Sequence, residues 1–277
     1  MPSLSQHQSL EYVKALYMGD SGVGKTGSLV SLLNAGYDLR IFDFDNNLGS
    51  LVQYAKLQAA GHEDQVRYQT FTDKMKGIDN PIVMTGNAAK VLPFIDGTPK
   101  AFSNGLKQLN HWKEEGEDLG VPSTWGPKTV VVIDTLTTMA QAAFRYGQAM
   151  NPAAREPQTY YFTAQQLVMQ VIALLCSADF RCNVLVIAHI DYSKDKDGTL
   201  LKGFPRSIGS ALGDQIGVHF NSILMAESVG QGTSIKRQIR TNSTGLVSLK
   251  NPVSFKVADT LPLETGLATF FEAVKKV

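Results

Sequence analysis

The sequence predicts an α/β fold with a mostly parallel central sheet, and two patterns predict it. Segments with the apolar runs of strands alternate along the chain with segments of helical periodicity, which is typical of parallel strands joined by crossover helices. Two of the apolar runs, 129–134 and 183–189, are nearly continuous in Val, Ile and Leu, as expected for strands covered on both faces. These two runs are therefore predicted to form the centre of the sheet.

The predicted elements follow in chain order. In the alternating part of the chain, strands are predicted at 13–18, 39–44, 129–134 and 183–189. Helices are predicted at 25–34, 48–60, 136–147 and 161–178. In the last helix, Ala164, Val168, Val171 and Leu175 recur at helical spacing. That stripe is predicted to be core.

The C-terminal part is predicted to be a β-rich edge. Short strands are predicted at 222–227, 234–241 and 253–258, separated by turns that contain Gly and Asn. Residues 66–127 are the least regular part, and we interpret them as an insertion within one domain that spans 1–277.

The composition excludes a strongly charged surface. Over 277 residues the hydrophobic share is 43% and the formal net charge is +1, so any contact with nucleic acid is expected from a local patch. Cys176 and Cys182 are expected to be buried thiols. Residues 1–9 are polar and no run approaches the roughly 18 apolar residues of a membrane span, so we expect a cytoplasmic protein that does not cross a membrane.

The most specific motif lies at residues 19–26, which read Gly-Asp-Ser-Gly-Val-Gly-Lys-Thr directly after the first predicted strand. This is a complete GxxxxGK[ST] phosphate-binding loop. Its glycines let backbone N–H groups curl around a polyphosphate, Lys25 supplies charge for the β and γ phosphates, and the Thr26 hydroxyl is a ligand for Mg²⁺. A guanine-reading Asn-Lys-x-Asp motif is missing, so we expect ATP. Its predicted contacts are Gly19, Asp20, Ser21, Gly22, Val23, Gly24, Lys25, Thr26 and Gly27.

An acidic residue follows the apolar strand 129–133. Asp134 is predicted to be the Walker B residue, which holds Mg²⁺ opposite Thr26. Because a helix is predicted to begin at Leu136, Asp134 is also a candidate helix cap.

Two more acids end the second predicted strand. Alternation places Asp43 and Asp45 on the same side, and Asp45 is our candidate for orienting or deprotonating the attacking water. The alternative is that these acids cap the next helix or bind the ribose of the nucleotide.

One histidine ends the fourth predicted strand. His189 lies where open α/β sheets place ligands, so it is a candidate sensor of the γ phosphate. The alternative is a structural histidine.

Taken in order, the loop 19–26, Asp45, Asp134, His189 and the stretch 209–227 resemble the ATPase core of the RecA-like recombinases. Over residues 11–258 the chain looks more closely like phage-encoded RecA-like ATPases associated with single-strand annealing. Asp45 falls where that family has a catalytic glutamate, and His189 falls where it has a glutamine. The resemblance implies a RecA-like P-loop fold and, if the protein is phage-encoded, a place in the host cytoplasm.

The resemblance also implies two loops that face single-stranded DNA, around 148–160 and 192–210. The cations that would meet phosphates and the aromatic rings that would stack on bases are Arg155, Lys194, Lys196, Lys202, Arg206, Tyr192 and Phe204. Asp191, Asp195 and Asp197 interleave with the lysines and weaken the field. We interpret the piece 195–198 as a hairpin turn and not a calcium loop.

Recombinases of this type assemble head to tail and complete the ATP site with cations of the next subunit. Arg240 lies where such a cation is expected, and the other candidates are Lys236, Arg237 and Lys250. The alternative interpretation is that all four are solvated charges at the edge of the sheet. The sequence thus predicts an oligomeric, DNA-dependent ATPase in recombination, annealing or replication, together with an annealing or single-strand-binding partner protein. Two alternatives remain, which are a small-molecule P-loop kinase and a DNA-binding scaffold with little ATP turnover.

Overall fold

The strands at the edges of the main sheet are short, and those at its centre are long. A computed structural model describes residues 11–76, 95–114, 116–154 and 156–275. In these ranges the strands are β1 (Lys14–Gly19), β2 (Asp38–Asp43), β3 (Val66–Thr70), β4 (Trp112–Glu114), β5 (Glu117–Gly120), β6 (Gly126–Asp134), β7 (Cys182–Lys194), β8 (Leu200–Pro205), β9 (Ser222–Val229), β10 (Lys236–Arg240) and β11 (Thr260–Pro262).

The helices cover both faces of the sheet. In the described chain they are α1 (Val30–Asn34), α2 (Gly49–Gln58), α3 (Ala101–Asn110), α4 (Leu136–Met150), α5 (Pro157–Leu175), α6 (Ser210–Ile216) and α7 (Gly266–Lys275). None of the helices in the described ranges is long and apolar enough to cross a bilayer.

The main sheet has the strand order β11-β10-β9-β1-β7-β6-β2-β3, with β8 paired to β7. Strands β9, β1, β7, β6, β2 and β3 run parallel to one another, whereas β10 is antiparallel to both β9 and β11, and β8 is antiparallel to β7. The predicted α/β fold class, with a mostly parallel central sheet and a β-rich C-terminal edge, is confirmed. Because β7 lies between β1 and β6, the carboxyl ends of these three strands meet at one edge of the sheet.

Alternation along each central strand sends side chains into two cores. On β1, Ala15 and Tyr17 face the core covered by α1, α2 and α7, whereas Leu16 and Met18 face the core covered by α3, α4 and α5. All four side chains are almost fully buried, as the near-continuous apolar runs predicted. Both cysteines are free, and burial raises the pKa of Cys182 to about 12.

The predicted helix 25–34 is much shorter in the structure. A 3-10 turn at Gly27–Leu29 comes first, and α1 has only five residues. The hydroxyl of Ser28 donates to the carbonyl of Lys25, and that of Ser31 donates to the carbonyl of Ser28. Serine hydroxyls that bond nearby carbonyls compete with helix geometry, which accounts for the short helix.

The predicted strand 253–258 is wrong. This segment forms turns in which the N–H groups of Lys256 and Val257 both donate to the carbonyl of Val253. Val253 and Val257 are buried four residues apart, at the spacing of a helical turn, while Phe255 is 73% exposed. The edge strand is β11 instead.

Parts of the irregular and loop regions are ordered elements. Within 66–127, residues 66–70 form β3 of the main sheet, so any inserted part begins after Thr70; residues 77–94 and 115 lie outside the described residues. The region 192–210, predicted as a loop, is largely a hairpin because β7 continues to Lys194 and pairs with β8. Its turn at 195–198 is confirmed, with Asp195 Oδ1 accepting from the N–H groups of Asp197 and Thr199. The other predicted loop, 148–160, is helical at both ends, because α4 continues to Met150 and α5 begins at Pro157.

Candidate nucleotide-binding site

The phosphate-binding loop leaves the carboxyl end of β1 and carries a buried lysine. Lys25 is 6% exposed, and its Nζ donates to the carbonyls of Gly19 at 2.9 Å and Asp20 at 2.7 Å. Burial lowers the pKa of Lys25, and the carboxylates of Asp134, Asp20 and Asp45 oppose that effect. These bonds hold the ammonium against the first two residues of the loop that is predicted to bind phosphates.

The loop requires glycine at two positions. Gly22 and Gly24 have φ of +79° and +97°, which side chains rarely adopt. A Cβ on Gly24 would also lie 2.6 Å from Cδ2 of Leu263. Of the other predicted contacts, Asp20 and Ser21 are exposed at the mouth of the loop and Val23 packs into the core below.

Thr26 and Asp134 meet although they are 108 residues apart. The Thr26 hydroxyl donates to Asp134 Oδ2 at 2.9 Å. Asp134 is 1% exposed, and its Oδ1 has no hydrogen-bond partner among the described residues. The pKa of Asp134 is raised to about 7, mainly by burial and further by the charges of Asp45 and Asp43.

This pair fits a magnesium ion. Mg²⁺ prefers hard oxygen ligands, and the unpartnered Asp134 Oδ1 beside the Thr26 hydroxyl offers them. The cap of α4 is not Asp134 but Thr135, whose side chain accepts from the N–H of Thr138. The sequence left two roles open for Asp134, which are metal ligand and helix cap. In the structure Asp134 fits the first role, and its neighbour Thr135 has the second.

Asp43 and Asp45 make different contacts. Asp43 is buried, with Oδ1 accepting from the N–H of Asp45 at 3.0 Å and Oδ2 accepting from the Thr70 hydroxyl at 2.9 Å. Asp45 is half-buried, and its Oδ1 accepts from the hydroxyls of Thr135, at 3.1 Å, and Thr138. Neither acid caps the next helix, because α2 has Leu48 at its N-cap and no side-chain cap.

Sequence reasoning did not identify Thr135 and Thr138. Both lie at the start of α4 and hold Asp45 toward Asp134. The Thr-Leu-Thr-Thr run after Asp134 was the available signal, since threonines at a helix start have hydroxyls free to bond nearby groups.

His189 lies on β7, beside Gly19 in the register of β1 and β7. Its N–H donates to the Thr137 hydroxyl at 3.2 Å, and its carbonyl accepts from the N–H of Arg206 at 2.8 Å. Burial lowers the pKa of His189; the positive charge of Lys25 lowers it further, and Asp45 opposes them. The neutral imidazole is thus next to the loop, within the electrostatic reach of Lys25 and Asp45.

Arg240 is held within its own chain. Its guanidinium pairs with Glu227 Oε1, with Nη2 at 2.7 Å and Nε at 3.0 Å, and Gln238 donates to the same oxygen. The alternative Lys250 donates to three carbonyls at the end of α6. Arg237 behaves differently, because its Nη1 lies 3.9 Å from the position of a Cβ on Gly24.

The predicted DNA-contacting residues are divided between exposed and engaged side chains. Lys194 and Arg206 are exposed, whereas Lys202 pairs with Asp214 at 2.8 Å. Tyr192 is half-buried, and Phe204 lies against Gly213 of α6. Arg155 lies outside the described residues.

Comparison with known proteins gives a family and some structural neighbours. The sequence profile of the AAA domain family matches residues 11–253, which is most of the chain. A search of curated proteins found no match.

Three of the solved structures that match this chain have low sequence identity to it. A KaiC-like protein of the archaeon Pyrococcus horikoshii OT3 is 10% identical, with a TM-score of 0.40 over 84% of this chain and 80% of that chain. The flagellar accessory protein FlaH of Methanocaldococcus jannaschii is 7% identical, with a TM-score of 0.39 over 83% and 78%. A type III secretion system ATPase of pathogenic bacteria is 12% identical, with a TM-score of 0.41 over 78% and 52%.

Proposed function

We propose that this P-loop ATPase, which belongs to the AAA domain family, binds single-stranded DNA at the β7–β8 hairpin and couples that binding to hydrolysis of ATP. The observation that supports the coupling is the continuity of β7. His189 lies beside the phosphate-binding loop, and Lys194, on the same strand, lies about 16 Å further at about 3.3 Å per residue. One rigid element therefore connects the two sites.

The chemistry follows from the loop and the acids around it. Backbone N–H groups of the loop and Lys25 hold the polyphosphate, and Thr26 and Asp134 are the residues that would hold Mg²⁺, which supplies charge neutralisation between the phosphates. Asp45, fixed by the hydroxyls of Thr135 and Thr138, is the acceptor that orients the attacking water. His189 responds to the γ phosphate through its position beside Gly19.

The hairpin has the chemistry that a single strand needs. Lys194, Lys196 and Arg206 are exposed for phosphates, and Leu200 and Leu201 are 39% and 55% exposed for contact with bases. Lys202 is exposed but paired with Asp214, so a phosphate would compete with that carboxylate for it. Phe204 packs against Gly213 of α6 and would reach a base only if α6 moves away.

The proposal includes assembly and a cellular role. Subunits would assemble head to tail, and the role would lie in recombination, annealing or replication with an annealing or single-strand-binding partner protein. Since Arg240 is paired with Glu227, exposed Lys236 is the stronger candidate for a cation offered to the next subunit.

DNA binding is tested by anisotropy of a labelled oligo-dT across a salt series, with ATP and Mg²⁺ present. Lys194→Ala/Lys196→Ala removes two exposed hairpin cations, and Lys56→Ala/Lys107→Ala removes two exposed helix cations as the matched control. On single-stranded DNA, each phosphate contact that is lost reduces the magnitude of the negative slope of log K against log salt concentration by about 0.7. We expect the hairpin variant to bind more weakly with a slope smaller by about 1.4. Equal behaviour of the two variants would refute this DNA site.

A further inference from the structure

The hydroxyl of Thr137 lies inside the last residue pair of the β7–β8 hairpin. Beyond the pair of Ile190 with Pro205, the next two opposed residues are His189 and Arg206. In an antiparallel ladder every second pair exchanges two N–H···O bonds. One of these bonds is direct here, from the N–H of Arg206 to the carbonyl of His189 at 2.8 Å. The other passes through Thr137, whose hydroxyl accepts from the N–H of His189 at 3.2 Å and donates to the carbonyl of Arg206 at 3.0 Å.

This arrangement makes the base of the hairpin, which is the pair His189–Arg206, depend on a side chain of α4. A hydroxyl donates one hydrogen bond and accepts others, and Thr137 does both between two backbone groups. Hydrogen bonds joined in a chain strengthen one another. Thr137 is 7% exposed, so its hydroxyl is shielded from exchange with solvent. A direct second bond would hold the pair without α4, whereas the bond through Thr137 fixes the pair to that helix.

The same turn of α4 holds the candidate catalytic acid. Thr135 and Thr138 donate to Oδ1 of Asp45, and the N–H of Thr138 donates to the side chain of Thr135. Thr137 lies between them in the sequence and contacts the hairpin instead. The first turn of α4 therefore bonds Asp45 through two threonines and the base of the hairpin through a third.

The contact also lies where one neighbour of β7 replaces another. Strand β6 pairs with β7 as far as Ile187, and β8 pairs with it from Ile190 onward. Thr137 follows the end of β6 by three residues and bonds β7 at His189, between the two pairings. A small movement of α4 therefore acts on the hairpin at the point where it leaves the sheet.

We propose that Thr137 is a positioning residue that makes the order of the hairpin depend on the nucleotide. When nucleotide is bound, Asp45 is fixed, and its bonds to Thr135 and Thr138 constrain the first turn of α4. Thr137 then holds the base of the hairpin in one position. The inference rests on the proposed roles of Asp45 and of the hairpin, and it adds a route through α4 to the route along β7.

The test measures hydrogen exchange of the hairpin amides at 191–204 with and without AMP-PNP and Mg²⁺. Thr137→Val replaces the hydroxyl with a methyl group and leaves β7 unchanged, so it separates the two routes. Thr137→Ser keeps the hydroxyl. Thr129→Val is the matched control, because Thr129 is also buried and its hydroxyl donates to a carbonyl, at the other end of β6. A melting curve checks that each variant is folded, and Thr137→Ala replaces the valine variant if that one is not.

We expect AMP-PNP to slow exchange at 191–204 about fivefold or more in the parent, the lower end of usual couplings between two sites. Thr137→Ser and Thr129→Val should keep this response. Thr137→Val should lose it while its affinity for AMP-PNP, measured by titration calorimetry, stays close to that of the parent. A response that survives in Thr137→Val, or that is lost equally in Thr137→Ser, overturns the inference.

Failure of the inference can be distinguished from failure of the proposed function. A hairpin that responds to AMP-PNP through Thr137, in a protein whose ATP hydrolysis ignores oligo-dT, would support the inference and contradict the coupling to DNA. Stimulation by oligo-dT that is unchanged in Thr137→Val, with no effect of AMP-PNP on hairpin exchange, would overturn the inference and leave the proposed function in place. A parent that does not bind AMP-PNP would overturn both.

Discussion

Asp43 and Asp45 end the same strand region and differ in what their oxygens contact. Both oxygens of Asp43 accept bonds from Asp45 N–H and the Thr70 hydroxyl, so this acid fixes the turn after β2. Asp45 is half-buried and faces the threonines at the start of α4. These contacts therefore indicate a structural role for Asp43 and leave Asp45 as the candidate for a catalytic role.

Substitutions at these two aspartates should separate catalysis from stability. We expect Asp45→Asn to lower the rate of ATP hydrolysis about 100-fold or more, the usual contribution of general base catalysis, with little change in the free energy of unfolding. Asp43→Ala leaves two donors without an acceptor and should cost about 1–3 kcal/mol of stability. Phosphate release and urea unfolding measure the two effects. Normal turnover of Asp45→Asn would remove Asp45 from the mechanism.

Asp134 predicts a dependence of stability on pH. Its pKa is raised in the folded protein to about 7 from 3.8, so the folded state keeps a proton that the unfolded state releases. Stability from this group is therefore lost as pH rises from about 4 to about 7, and the loss is complete above that range.

The matching variant is Asp134→Asn, which cannot titrate. Without Mg²⁺ and nucleotide, we expect it to be more stable than the parent by about 1–3 kcal/mol at pH 8 and nearly equal to it at about pH 3.5, below the pKa of the unfolded carboxyl. Urea unfolding at the two pH values measures the difference. A difference that does not change with pH would show that folding does not raise the pKa of Asp134.

Residues that belong to a recognisable motif could be predicted from the sequence, whereas contact partners that belong to no motif could not. The loop 19–26 and Asp134 are readable because strand, loop and acid follow each other in order. Thr135 and Thr138 are about as far from Asp45 in sequence as Asp134 is from Thr26, and only the pairing of β2 with β6 brings them together. The Glu227 that holds Arg240 likewise depends on the register of β9 and β10.

At the scale of elements, β7 connects the nucleotide site to the hairpin. Its first half is buried between β1 and β6, and its second half leaves the sheet to pair with β8. His189 lies at the change from one half to the other. A sensor at this point can pass the state of the nucleotide along the strand.

Removal of the His189 side chain should therefore uncouple the two sites. We expect His189→Ala to lose most of the stimulation of ATP hydrolysis by single-stranded DNA while it keeps the DNA affinity of the parent and its basal hydrolysis. Phosphate release with and without DNA, and anisotropy of labelled DNA, measure these quantities. Loss of DNA affinity together with stimulation would indicate a structural histidine, as would loss of stability.

The elements that the sequence misjudged share a physical cause. Alternating or periodic apolar residues indicate burial, but local hydrogen bonds decide the backbone. Val253 and Val257 were consistent with a strand, yet the turn bonds at Val253 formed instead. The hairpin of β7 and β8 was obscured because its residues are mostly exposed and carry no apolar alternation.

At the scale of the whole molecule, the fold accounts for nucleotide chemistry more fully than for DNA binding. The sheet brings the loop, Asp134, Asp45 and His189 to one edge, and each was predicted from a strand end. With a net charge of +1, the chain has no general attraction for DNA, so the proposed binding would depend on the local charges of the hairpin and is expected to be sensitive to salt.

Coupling of ATP hydrolysis to single-stranded DNA can be measured as phosphate release from ATP and Mg²⁺ with and without an oligo-dT at fixed, low salt. The parent should hydrolyse ATP severalfold faster with DNA, and Lys25→Ala should show no hydrolysis in either condition. Lys25-dependent hydrolysis that does not respond to DNA would contradict the proposed coupling, and so would tight DNA binding without hydrolysis.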